Sequence, residues 1–262
     1  MNKKQINNCP LPVMFEQDNC EMHFEEEVNC ISSSGKSTSQ MKNLLKNPDV
    51  LNEEVFYNFY EGVMMKQDVD LFAKHKLRYD LIVVRPGNMG DEFKKTSGHY
   101  HCQVPDQGIS YPEIYEVMQG NAVFVLQKSN ENGDIVEAYA VKANSGDKLL
   151  IPPDYGHVTI NVGNEPLVFA DLVSTECSNM YGPIGENHGM SYYITENGNL
   201  GFKAVVNPNY GNVADVKITN ISENPSLGIS MDKPIYDQFV ENPSLYDYLN
   251  NPINYMDKFI KF

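Results

Sequence analysis

The sequence predicts an all-β fold, a barrel or sandwich of short strands with an extension at each end. Three observations predict it. From residue 77 onward the chain reads as short runs rich in β-branched and aromatic residues. The runs stop at turn signals such as Gly120-Asn121, Gly133-Asp134, Gly146-Asp147 and Pro152-Pro153-Asp154. No helical stretch separates them, so parallel βαβ units are not indicated.

The elements follow in order. Residues 1–40 are polar and irregular. Ser32-Ser33-Ser34-Gly35-Lys36-Ser37-Thr38 has some features of a phosphate-binding loop, but Cys30 stands where the leading glycine belongs and no apolar strand precedes it, so a Ser-rich link is expected. Residues 41–49 suit a short helical turn and 64–76 a weak helix. Tyr79-Asp80-Leu81-Ile82-Val83-Val84 is a strand stopped by Arg85-Pro86-Gly87. Strands then follow over 113–127, 135–141, 148–151, 158–162 and 167–173, and a strand pair over 190–206 turns about Glu196-Asn197-Gly198-Asn199. Beyond 207 the chain is rich in Asn and Pro, and 244–262 carries aromatics and leucines at loosely helical spacing. The expected division is an extension over 1–49, a barrel domain over 50–206, and a short helical tail within 207–262 that packs on the barrel or on a second subunit.

Composition narrows the function. The chain has 262 residues, 41% of them hydrophobic, which is enough for a sizeable core. Its formal charge of -15 argues against a nucleic-acid partner, since phosphate backbones need a basic surface. There is no apolar run of membrane length, and the start, Met1-Asn2-Lys3-Lys4-Gln5, has no signal character; a cytoplasmic protein is expected. Five cysteines, an odd number with no Cys-x-x-Cys pair, fit reduced thiols.

The chemistry concentrates in two stretches. His99 and His101 sit two apart, so on a strand both rings face one pocket. Cys102, next in line, should point away. Glu113 follows, with Gly120 seven residues beyond it. In the second stretch, Gly146, Pro152, His157 and Asn161 recur at fixed spacing. Three imidazoles and one carboxylate form a first-row metal set that leaves positions open, which suits catalysis or ligand binding. Glu116 competes with Glu113, but no glycine follows it at that spacing and it lies on the other strand face. Tyr115 should share the cavity with Glu113.

These paired motifs resemble the cupin superfamily, whose fold is a double-stranded β-helix, or jelly-roll barrel. Residues 102–112 then form an insertion inside the first motif, expected to rim the pocket, and Asp154 stands where a Gly is common. The flanking sequence is more specific. Thr96-Ser97-Gly98-His99-Tyr100-His101, Glu113-Ile114-Tyr115, residues 152–166, Tyr181-Gly182 and Leu77-Arg78-Tyr79-Asp80 resemble the archaeal-type cupin glucose-6-phosphate isomerases over 50–206.

The resemblance implies interconversion of D-glucose 6-phosphate and D-fructose 6-phosphate, a step of glycolysis and gluconeogenesis, by a cytoplasmic homodimer. It implies a divalent metal ion, Fe²⁺ first and Mn²⁺, Ni²⁺, Zn²⁺ or Co²⁺ as substitutes, on His99, His101, Glu113 and His157. It gives Glu113 the proton-shuttling role, with Tyr115 beside it, and makes Thr96, Gly98, Tyr60 and Tyr181 the sugar-phosphate contacts. Proton transfer and hydride shift both remain open. Relatives often carry Tyr at Val173 and His at Asn179, so the chain departs there in its sugar-phosphate contacts. An Fe(II) cupin dioxygenase and a non-catalytic sugar-binding cupin are the alternatives that the same ligand set allows.

Overall fold

The computed structural model describes residues 3–6, 8–49, 53–198 and 201–259. Two facing sheets form a jelly-roll barrel. The larger has six antiparallel strands, in the order Lys148–Ile151, Glu113–Gln119, Leu167–Ser174, Leu77–Val84, Val55–Glu61 and Ser32–Ser37. The smaller runs Gly156–Asn161, Asn121–Ser129, Ile135–Asn144 and Lys217–Asn220, the last joining parallel.

Alternation along each strand decides what each sheet face carries. Tyr115, Val117, Ile82, Val84 and Phe169 point inward and meet Phe124, Leu126, Tyr139 and Val141 of the smaller sheet. Ile114, Met118, Tyr79, Leu81, Val83, Val168 and Leu172 point outward. There they meet Leu11, Val13 and Phe15 from the N-terminal segment and Ile235, Tyr236, Phe239, Tyr246 and Tyr248 from the C-terminal one. The central strands of the larger sheet are therefore buried on both faces, and Leu167–Ser174 is buried at all of its residues.

Both expected extensions contribute to the barrel. The Ser-rich segment is not a link: Ser32–Ser37 pairs antiparallel with Val55–Glu61 as an edge strand. Its pairing is made by backbone groups, so exposed serines serve as well as apolar residues would. Lys217–Asn220 likewise edges the smaller sheet, and the expected boundary at 49/50 touches residues 50–52, which lie outside the described ones. The C-terminal tail packs on the barrel's own outer face. Its α-helix is Ile235–Glu241, ahead of the stretch whose spacing suggested one; Pro243 and Pro252 open separate 3₁₀ turns there instead, and residues 260–262 lie outside the described ones. Within 64–76 the α-helix is Val69–His75. The strand pair around residue 198 is Tyr192–Glu196 with Phe202–Val206; Asn199 of its turn lies outside the described residues. No helix is long and apolar enough to cross a membrane among the described residues.

Three local devices position the site. The segment carrying His99 runs antiparallel to Gly156–Asn161, with bridges at Lys95–Ile160 and His99–His157. The 102–112 insertion folds back on itself through the Gln103–Ser110 bridge. Asp154 adopts φ 68°, the left-handed turn where glycine is usual and aspartate is tolerated. Its Oδ1 accepts the Ser110 N–H at 3.0 Å while its own N–H donates to Ser110 Oγ at 2.6 Å, tying the insertion to the turn before His157.

Phe239 is fully buried and stacks 4.6 Å from Phe72. Phe239→Ala should lower stability by about 3–5 kcal/mol in urea melts while the folded variant keeps its metal affinity. Loss of metal binding at full stability would contradict this division between outer face and site.

Candidate active site

His99, His101, Glu113 and His157 present ligand atoms that all lie within 4.8 Å of one another. His101 Nε2 stands 3.3 Å and His157 Nε2 3.1 Å from Glu113 Oε2. Each imidazole turns its Nδ1 to a backbone carbonyl: His99 to Ser97 at 3.1 Å, His101 to Tyr111 at 2.9 Å, His157 to Tyr155 at 3.5 Å. A carbonyl only accepts, so Nδ1 carries the proton and Nε2 presents a lone pair.

Glu113 Oε2 is buried and has no hydrogen-bond donor among the described residues. The Nε2 lone pairs of His101 and His157 thus face the Glu113 carboxylate, the Tyr115 hydroxyl 3.2 Å from His157 Nε2 being the one donor that reaches them among the described residues, and a cation is what relieves that arrangement. The N₃O donor set fits a divalent transition ion.

The electrostatics agree. Burial, reinforced by its two neighbouring histidines, holds the His99 imidazole well below its ordinary pKa. Burial also lowers His157, against the pull of Glu113. Burial pushes the Glu113 carboxyl up, but His101 and His157 outweigh it and leave the group well below the usual range. These directions favour neutral His99 and His157 and an ionised Glu113, which are the ligating forms.

Glu116 lies on the opposite face. It accepts the Ile235 N–H at 2.8 Å and pairs with Lys148 at 3.3 Å. Cys102 faces Glu176 at the surface and is not among the cavity's lining residues.

A cavity opens beside His99 and Glu113. Tyr115 lines it, with its hydroxyl 3.2 Å from His157 Nε2. Thr96 lines it too, and Tyr181 stands at the mouth, 46% exposed, its ring 5.4 Å from that of His99.

Two expected sugar-phosphate contacts lie elsewhere. Tyr60 points out of the barrel, where its hydroxyl accepts the Met22 N–H at 2.9 Å. Tyr57, of opposite strand parity, fills the cavity instead and donates to Ser97 Oγ at 3.2 Å. At Gly98 a Cβ would meet Met190 Sδ at 3.0 Å, so that position faces a neighbouring layer and is not part of the cavity lining. The 102–112 insertion does not line the cavity either; it buttresses His101 from behind through the Tyr111 carbonyl.

Both departures sit beside ligands: Val173 pairs with Glu113 and Asn179 with His101, and both line the cavity. Sequence reasoning missed Arg78, Asp80, Asp171 and Cys177, which also line it. The signal was a single acid inside each of two apolar strands, Asp80 in Leu77–Val84 and Asp171 in Leu167–Ser174. Burial raises the Asp80 carboxyl to about 6 despite Arg78. Burial, then Asp80 and Glu113, raise Asp171 well above the usual range.

The sequence profile of the family described as glucose-6-phosphate isomerase (GPI) matches residues 35–211. The chain belongs to the glucose-6-phosphate isomerase family. The match begins inside the edge strand Ser32–Ser37, in keeping with that strand's place in the barrel sheet.

Relatives of this isomerase-family chain include the glucose-6-phosphate isomerase of Pyrococcus furiosus, 31% identical over 158 residues, or 60% of this chain and 74% of that one. That of Thermococcus onnurineus is 30% identical over 163 residues, 62% and 77% of the two chains. Among solved structures, an oxalate oxidase overlays 42% of this chain and 47% of its own with a TM-score of 0.32 and 18% identity.

His101→Ala should weaken Mn²⁺ affinity by at least about 100-fold, as removal of a ligand does more than loss of an outer partner. Glu116→Gln should leave it unchanged. Equilibrium dialysis checks both; equal losses would place the site elsewhere.

Proposed function

We propose that this protein is a divalent-metal-dependent isomerase that interconverts D-glucose 6-phosphate and D-fructose 6-phosphate. One observation carries the reading: the three histidines and Glu113 converge beside a cavity that His99 and Glu113 line together with Arg78, Thr96, Tyr115 and Tyr181. Family membership favours isomerisation over the dioxygenase reading of the same ligand set. A role in glycolysis and gluconeogenesis, Fe²⁺ as the working ion, a homodimeric assembly and a cytoplasmic location complete the proposal.

The reaction moves a hydrogen between C2 and C1 of the open-chain sugar, while the hydroxyl proton passes from one oxygen to the other. A divalent ion on the four ligands supplies Lewis-acid stabilisation of the negative charge that develops on the sugar oxygens.

This chain's own residues do the rest. Glu113, ionised at neutral pH, is the group placed to take the proton from one carbon and return it to the next. Tyr115, whose hydroxyl burial and Glu113 keep protonated, can donate to a sugar oxygen from the same wall. Burial of both residues keeps bulk water from competing for the proton. Thr96 and Tyr181 add hydroxyl-bearing side chains to the cavity lining.

A coupled assay with fructose 6-phosphate and added Fe²⁺ or Mn²⁺ tests the reading. Turnover is expected with metal and none after chelation. Glu113→Gln should lower kcat by about 10²–10⁴-fold, the range for a general base, and Tyr115→Phe by about 10-fold through loss of one hydrogen bond. No turnover with any divalent ion would overturn it.

A further inference from the structure

The cavity holds one side chain that the fold does not account for. Asp171 lies in a strand buried along its whole length. It is 3% exposed, lines the cavity, and its Oδ1 has no hydrogen-bond partner among the described residues. Strand register sets it between Tyr115 on one side and Asp80 on the other.

The cation nearby is already committed. Arg78, the one Lys or Arg among the described residues that line the cavity, gives its Nε to Asp80 at 2.8 and 2.9 Å and its Nη1 to Glu61 at 2.8 Å. A buried carboxyl set beside two other carboxyls costs free energy, and an apolar side chain would fill the position without that cost. A carboxyl oxygen buried there with no hydrogen-bond partner is one that a ligand's donor can satisfy.

Charge says which donors. Arg78 is already ion-paired with Asp80 and Glu61, so the floor offers a phosphate dianion no free Lys or Arg among the described lining residues. Sugar hydroxyls donate to carboxyl oxygens and carry no charge. Lys36 Nζ lies 5.9 Å from the centre of the Tyr181 ring and makes no ion pair among the described residues.

We propose that Asp171 is a sugar-hydroxyl contact on the cavity floor, with the uncharged carbons of an open-chain polyol lying over it and the phosphate directed to the mouth at Lys36. The orientation of the phosphate rests on the isomerase reading; the hydroxyl contact does not.

The test is titration calorimetry of the metal-loaded full chain with glucitol, glucitol 6-phosphate and inorganic phosphate. Asp171→Ala should weaken glucitol and glucitol 6-phosphate about tenfold and leave inorganic phosphate unchanged. Asp171→Asn, which keeps one acceptor oxygen, should lose less. Lys36→Ala should weaken inorganic phosphate and glucitol 6-phosphate but not glucitol. The melting temperature of Asp171→Ala should be equal to or above that of the parent chain, which a purely structural role would not give.

Glucitol binding that is absent, or is the same with and without Asp171, overturns the proposal. So does an Asp171→Ala variant that melts lower and loses all three ligands alike. A parent chain that binds glucitol through Asp171 but does not turn over fructose 6-phosphate would refute the isomerase reading and leave the contact standing.

Discussion

The constraint on which the rest depends is the clustering of three imidazoles, His101 and His157 against Oε2 itself, around the buried Glu113 carboxylate. Such a cluster repels itself unless a cation sits among its members, and it holds its shape only if the backbone does the holding. Here it does. Each ring is oriented by a carbonyl of the chain, so no rotamer change elsewhere can release it. One of those carbonyls, that of Tyr111, comes from the insertion, and the insertion is pinned by Asp154 in its left-handed turn.

The barrel's stiffness comes from its surroundings. Both terminal segments cover the outer face of the larger sheet, and the strands bearing Glu113, Asp171 and Asp80 are packed from both sides. That packing is what allows a row of carboxyls inside a mostly apolar barrel. The apolar burial around them offsets the cost of leaving Asp171 Oδ1 without a hydrogen-bond partner among the described residues. A looser frame would relax such a row toward solvent; this one keeps it facing the cavity.

Much of this was legible in the residues. The ligand set follows from period-two geometry and motif spacing, and Glu113 was chosen over Glu116 by the glycine spacing, with parity putting Glu116 on the other face. What failed to be legible failed for identifiable reasons. Val55-Phe56-Tyr57-Asn58-Phe59-Tyr60 is aromatic on both faces because both faces are buried, so alternation could not show that Tyr57 and not Tyr60 enters the cavity. The edge strand of serines is held by backbone pairing, which leaves no apolar pattern. The insertion acts through a carbonyl, which no side chain announces. Asp80 and Asp171 were visible as lone acids in apolar runs, but their adjacency depends on strand register.

The most direct test of the central claim is a titration of the metal-stripped protein with Mn²⁺, following bound ion by electron paramagnetic resonance and isomerase turnover in the same samples. Binding of one ion per chain, with activity rising in proportion to it and both lost in His157→Ala, is the result this account predicts. Full turnover in stripped protein, or tight Mn²⁺ binding that survives His157→Ala, would contradict it.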